Sequence, residues 1–293
     1  MHRRKGTKMM DKETLFVSFS GGRTSGYMCH WLLENKADEY DLRFVFANTG
    51  IEHENSLDFV DRCDKEFKLD LTWVEAVVNP EHGKGIRHKI VTYETAARKG
   101  EPFEAFIAKS GVPNKAYNQC SGRLKEFVMN SYRRELGFRS NHQTAIGIRS
   151  DEFDRMSDRA DELGLIYPLV RWTIATKASV RHWWAVQSFD LDLPEHLGNC
   201  VTCWKKSDRK LMTIAKHEPE RFEFFARMER EHSHIKCDEK PRLFFRRHRS
   251  AQDILAEAQQ PFIEFKDEMP EYQLDMIGLD AESDCGATTC EIA

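Results

Sequence analysis

Two thiols stand two residues apart in Cys200-Val201-Thr202-Cys203, after Gly198-Asn199, and a third, Cys120, lies eighty positions upstream beside Arg123 and Lys125. Soft thiolates spaced this way on a loop suit tetrahedral zinc or an iron–sulfur cluster. Either usually takes a fourth ligand, for which Cys237 is the nearest candidate; reduced thiols without metal are the plain alternative. Near the C-terminus, Cys285 precedes Gly286 and is followed by Cys290. A cysteine before glycine on a tail suits a travelling nucleophile or resolving thiol, and a terminal metal-binding pair or a simple tail fits equally.

A second chemistry is written in Ser20-Gly21-Gly22-Arg23-Thr24-Ser25. Glycines let the backbone approach an anion, its N–H groups turn inward, and a following helix adds positive potential at its N-terminus. An ordinary strand-to-helix turn is the bland reading of Ser-Gly-Gly alone. Arg149, in Gly147-Ile148-Arg149-Ser150-Asp151-Glu152, is suited to a bidentate grip on phosphate or sulfate, or to a solvated turn. The stretch from Lys236 to Arg249 holds six Lys or Arg residues around Phe244 and Phe245. It suits nucleic acid or polyphosphate, or a solvated face over a buried aromatic pair. His232 and His234 flank Ser233 and add a weak metal-binding motif.

These groups need a scaffold, and the apolar pattern predicts one. Residues 15–19, 42–47, 71–78 and 143–148 read as strands, and 25–35 and 54–67 as helices. Alternating strands and helices imply a doubly wound, mostly parallel α/β sheet, whose ligands bind beyond the carboxyl ends of the strands. The polar clusters at 20–25, 48–53 and 149–155 all fall at such ends. Residues 82–118 read as loop to helix and as a cover for the site. Beyond about 205 the strand signal ends: helical patterns at 206–232 and 250–259 predict an α-rich C-terminal part, and 265–293 an acidic tail.

Composition sets the bounds. The 293 residues are 40% hydrophobic and 31% charged, with a net charge of -4, which fits a globular protein and gives no overall drive toward nucleic acid. Eight cysteines are too sparse for a disulfide scaffold, and Cys29 and Cys63 fall in helical patterns as structural thiols. No apolar run reaches the roughly 20 residues of a membrane span. No signal-peptide core follows the basic Met1-His2-Arg3-Arg4-Lys5, so the expected compartment is cytoplasmic.

Taken in order, these motifs resemble the phosphoadenosine-phosphosulfate (PAPS) reductase family of the adenine nucleotide alpha-hydrolase-like, or PP-loop, superfamily. Ser18-Phe19-Ser20-Gly21-Gly22-Arg23-Thr24-Ser25 is similar to its modified pyrophosphate loop, and Asn48-Thr49-Gly50-Ile51-Glu52 to its second-strand motif. Gly147-Ile148-Arg149 resembles its Gly-Ile-Arg strand end, and Tyr167-Pro168-Leu169-Val170-Arg171-Trp172-Thr173 its Pro-Leu-x-x-Trp-Thr segment. The resemblance spans roughly residues 14–205, read as the nucleotide-binding domain, with 206–293 as a helical extension carrying the cysteine-bearing tail. It departs at Gln119, where the family's cluster-binding members carry a further cysteine, and at Thr24, where an acidic residue is common. It departs again after Asp284-Cys285-Gly286, which no histidine follows.

The resemblance implies an enzyme of sulfur metabolism that binds an adenine nucleotide (PAPS, APS or ATP). Ser18, Ser20, Gly21, Gly22, Arg23, Thr24 and Ser25 would hold phosphate or sulfate; Asn48, Thr49, Gly50 and Gly147 would hold adenosine. Arg149 would stabilise the leaving group, and Cys285 would attack the sulfur before a thioredoxin-like donor releases sulfite. It also favours a [4Fe-4S] cluster over zinc at Cys120, Cys200 and Cys203. A second implied activity is ATP-dependent sulfur transfer to nucleic acid through such a cluster. A third reading is a zinc-stapled nucleotide-binding protein without turnover.

Overall fold

Leu15, Phe16, Val17 and Phe19 are completely buried, as a strand covered on both faces requires. The structure, a computed structural model, describes residues 12–81, 83–237, 240–245 and 249–267. Its strands are β1 (Glu13–Phe19), β2 (Tyr40–Asn48), β3 (Thr72–Val78), β4 (Ile86–Val91), β5 (Thr144–Ala145) and β6 (Leu165–Ile166). They form one sheet in the order β4-β3-β2-β1-β5-β6. Every pairing is parallel except β3 with β4.

The predicted α/β architecture is therefore present, with two differences. Residues 86–91, read as part of a loop or helix, form the antiparallel edge strand β4. Ile86-Arg87-His88-Lys89-Ile90-Val91 carries too many exposed polar residues to resemble the apolar runs of the inner strands. The strand expected over 143–148 pairs only at Thr144 and Ala145, and the short β6 lies beside it.

Helix α1 (Arg23–Lys36) begins directly after the glycine turn, and α2 (Glu54–Phe67) follows β2. Next come α3 (Glu101–Ser110), α4 (Phe127–Glu135), α5 (Ala160–Leu163) and α6 (Pro168–Arg171). Last are α7 (Lys177–Ala185), α8 (Asp208–His217), α9 (Glu223–His232) and α10 (Ala251–Glu257). Two starts matter for the site: α7 opens with a capping box between Thr176 and Ser179, and Ser207 caps α8 by accepting from Lys210 N.

The main hydrophobic cluster runs from Leu15 to Ala258 and includes the sheet and the C-terminal helices. Phe225 of α9 stacks on Phe244 at 3.6 Å and meets Phe103 of α3 edge-on at 5.6 Å. Phe244 and Phe245 are 1% exposed. They are the buried aromatic pair and present no ring for stacking on a base. Among the described residues, no helix is long and apolar enough to cross a membrane.

Candidate active site

In this sheet β1 lies between β2 and β5, so chain connections diverge to either side of it. A crevice opens at such a switch point, beyond the carboxyl ends of the strands. The glycine turn sits there. Gly21 has φ +83°, and a Cβ on it would stand 3.3 Å from both Phe46 and Val60. Glycine thus serves both the backbone angle and the close approach. Ser25 Oγ closes the loop: it accepts from Ser20 N (3.2 Å), donates to Gly22 O (3.0 Å) and lies 2.9 Å from Ser20 Oγ. Gly147 is the spacer against this turn, since a Cβ there would lie 3.2 Å from Ser25 Cα. Trp184 Nε1 of α7 donates to Arg23 O (2.8 Å), and the Arg23 guanidinium donates to Asp190 Oδ1 (2.7 Å) and Leu191 O. Ser18 is 2% exposed within β1, and its Oγ has no hydrogen-bond partner among the described residues.

At the end of β2 the predicted residues divide into two roles. Asn48 is fully buried; its Nδ2 donates to Glu75 Oε1 (2.6 Å) and Ala97 O (2.9 Å), and its Oδ1 accepts from Gly50 N (3.1 Å). Gly50, at φ +83°, accepts from Gly100 N (2.8 Å) through its carbonyl. Asn48 and Gly50 therefore shape the turn, and Thr49 is the member that faces the cavity.

That cavity measures about 600 Å³. It is lined by Ser20, Gly21, Gly22, Arg23 and Thr24 on one side and by Cys120, Cys200 and Cys203 on another, with Arg149 between the loop and the 150–155 turn. Arg149 is pinned: it donates to Thr24 Oγ1 (3.1 Å) and Asp151 Oδ1 (3.0 Å), and pairs with Glu152 at 3.1 Å. Asp151 titrates below its usual range: burial works against this, but the Lys177 N–H and Arg149 outweigh it. Cys200 follows Asn199 in the left-handed region (φ +56°), which Asn tolerates better than most residues. Cys237 lies elsewhere: it does not line the cavity, and its thiol donates to His234 O at 3.0 Å. Cys285 and Cys290 lie outside the described residues.

The cavity also holds side chains that the motifs did not single out. Among the described residues, nine Lys or Arg line it against four carboxylates, in a chain whose net charge is negative. Lys177, Arg181 and Lys210 converge on Glu195 at 2.8, 3.7 and 3.4 Å. Lys206 Nζ donates to His196 O (2.6 Å) and Gly198 O (2.7 Å), bracing the loop that leads to Cys200. A signal for some of these was present, since Lys205-Lys206 directly follows Cys203-Trp204. The α7 lysine and arginine come together with them only through the fold. Three thiols, a glycine turn and a positive lining in one crevice suit an anionic ligand held beside soft sulfur donors.

Comparison with known proteins places a family domain over this sheet. The phosphoadenosine phosphosulfate reductase domain model matches residues 14–175, which take in the loop, the 48–52 turn, Cys120 and Arg149 and end before Cys200. An uncharacterized nin region protein of Escherichia phage lambda is 36% identical over 206 residues, covering 69% of each chain. An uncharacterized protein of Methanocaldococcus jannaschii is 26% identical over 162 residues, 53% of this chain and 33% of that protein. The domain match spans the sheet that carries the loop and turn, and so the chain belongs to the phosphoadenosine phosphosulfate reductase family of the PP-loop superfamily.

Proposed function

We propose that this chain binds an adenine nucleotide in the 600 Å³ cavity and performs sulfur chemistry on it. The observation that carries the proposal is the shared cavity: the glycine turn, pinned Arg149 and Cys120, Cys200 and Cys203 line the same space. The loop amides and Arg149 would receive the phosphate or sulfate, and Thr49 would face the nucleotide from the end of β2. The three cysteines fit an iron–sulfur cluster as a donor set, because thiolates are its ordinary ligands. A cluster held there supplies redox chemistry and iron sites that accept sulfur.

In the reductase reaction, a cysteine thiolate attacks the sulfur of the activated sulfate. A sulfur–sulfur bond forms, the sulfur–oxygen bond to the nucleotide breaks, and the adenosine phosphate leaves with the electron pair. Arg149 and the loop N–H groups stabilise that negative charge. A dithiol donor of thioredoxin type then attacks the modified cysteine, releasing sulfite and becoming oxidised to a disulfide. Cys285 is the proposed nucleophile.

The cysteine count favours a second reading. Among the described residues, three cysteines line the cavity, one fewer than the four that would ordinarily hold a four-iron cluster. That arrangement suits ATP-dependent sulfur transfer to nucleic acid.

Anaerobic purification with iron and sulfide analysis comes first: a brown protein with bound iron and sulfide is expected, and a colourless zinc protein would overturn the cluster. Sulfite release from PAPS or APS with thioredoxin, abolished by Cys285→Ser, supports the reductase. Full activity in that variant removes Cys285 from the mechanism. Nucleic-acid-stimulated ATP cleavage without sulfite release would select the second reading.

A further inference from the structure

Thr49 lines the cavity, and its hydroxyl lies 3.8 Å from Cys200 Sγ. A residue that does not line the cavity governs both. Glu52 accepts hydrogen bonds from Thr49 N (3.1 Å), Thr49 Oγ1 (2.7 Å) and Ile51 N (3.2 Å). Its backbone meanwhile pairs antiparallel with that of Cys200. The carboxylate has turned back from the helix that follows: the N-cap of α2 is His53, whose Nδ1 accepts from Asn55 N at 3.1 Å.

We propose that Glu52 is a positioning residue that locks the turn after β2 to the cysteine loop, so that Thr49 and Cys200 are set as one unit. An ionised carboxylate only accepts, so it suits three converging donors. The Thr49 hydroxyl carries one proton, which the 2.7 Å bond commits to Glu52. The oxygen keeps both of its lone pairs as acceptors, and Cys200 Sγ lies 3.8 Å from it. Without Glu52, the amides of Thr49 and Ile51 lose their acceptor and the backbone pairing to Cys200 loses its rigid side. Cys200 follows Gly198 and the left-handed Asn199, a turn held from the other direction by Lys206. Loss of either hold frees the loop.

The coupling stands on the hydrogen bonds alone; its effect on ligand affinity rests on the nucleotide reading above. The test uses full-length protein under reducing conditions, with any iron removed by chelation. Iodoacetamide alkylation of each cysteine is followed by mass spectrometry, with Cys237, outside the cavity, as internal reference. Glu52→Ala is expected to speed Cys200 alkylation about fivefold relative to Cys237, the scale of the net loss of one ordinary hydrogen bond. Glu52→Gln keeps one acceptor oxygen and is expected to restore much of the slow rate, which a pure charge effect would not do. If Glu52→Ala does not fold, Thr49→Val, which removes the shared hydroxyl at constant shape, is expected to speed Cys200 instead. An unchanged Cys200 rate in folded Glu52→Ala, or in Thr49→Val where that variant is the one used, overturns the coupling. Equilibrium dialysis with labelled ATP and APS supplies the second arm, with about fivefold weaker binding expected in Glu52→Ala. A wild-type chain that binds neither nucleotide overturns the nucleotide reading, while the Cys200 rates still judge the coupling.

Discussion

Glu75 has no exposed surface, yet its carboxylate is closely matched. Oε1 accepts from Asn48 Nδ2 and from Ala97 N, both at 2.6 Å, and Oε2 pairs with Lys89 at 2.9 Å. Lys89 is about half exposed, so losing its partner returns it to water at small cost. Asn48 and the Ala97 amide have no such recourse, since an unpaired buried donor costs about 1–3 kcal/mol. Glu75→Ala is therefore expected to lower stability by about 3 kcal/mol, and Glu75→Gln, which keeps Oε1, by about 1 kcal/mol; urea denaturation measures both. Asn48 was legible as part of a motif, but its work was not. The glutamate it needs stands 27 positions away inside Thr72-Trp73-Val74-Glu75-Ala76-Val77-Val78, where nothing local marks it as a partner. The glycine turn was the more readable feature, because its chemistry lies in its own backbone.

The elements packed against the turn after β2 show which parts of the fold sequence patterns reach. Strands β1, β2 and β3 and helix α2 declare themselves through apolar runs and a helical period, and their bounds fall within two residues of expectation. Edge strand β4 does not, because an edge tolerates polar residues on its open side. Least readable is the contact between α9 and the site. Gly50 and Gly100 meet as two positive-φ glycines, and the Phe224 ring from α9 covers Gly100. A Cβ on Gly100 would stand 2.3 Å from Phe224 Cε2. Gly100→Ala is expected to cost about 2–4 kcal/mol, combining left-handed strain with a displaced ring. Gly83→Ala is the control: φ is +78° and none of the described residues lies within 4 Å of the added Cβ, so only the strain of about 1 kcal/mol applies. Thermal melting of the pair separates the two contributions. If Gly100→Ala melts no lower than Gly83→Ala, α9 does not buttress the turn.

Across the whole molecule, charge is unevenly placed, and Glu195 shows the consequence. The chain as a whole is mildly acidic, while nine cationic side chains among the described residues surround one crevice. Cations held that close repel one another unless anions stand between them. Glu195 does so, joining Lys177 and Arg181 of α7 to Lys210 of α8. Burial alone would raise its carboxyl, yet Lys210 and Lys177 outweigh burial and bring it from 4.5 to about 2. A carboxyl depressed by folding contributes stability above its unfolded value and loses it as pH falls through the folded one. The contribution of Glu195 is thus complete above about pH 5 and fades between roughly 4.5 and 2. Glu195→Gln is expected to melt below the wild type at pH 7, with a gap that closes as pH drops through that window. Melting curves at half-unit pH steps check this, and a gap that stays constant from pH 7 to 3 would show that the cations around the cavity do not depend on this carboxylate. The same substitution is also expected to loosen α7 against α8, and with them the loop that carries Cys200 and Cys203, because Glu195 lies at the start of that loop. Binding of inorganic pyrophosphate should then weaken in the variant even at neutral pH, which separates a disordered cavity from one that has merely become more positive and would bind the anion more tightly.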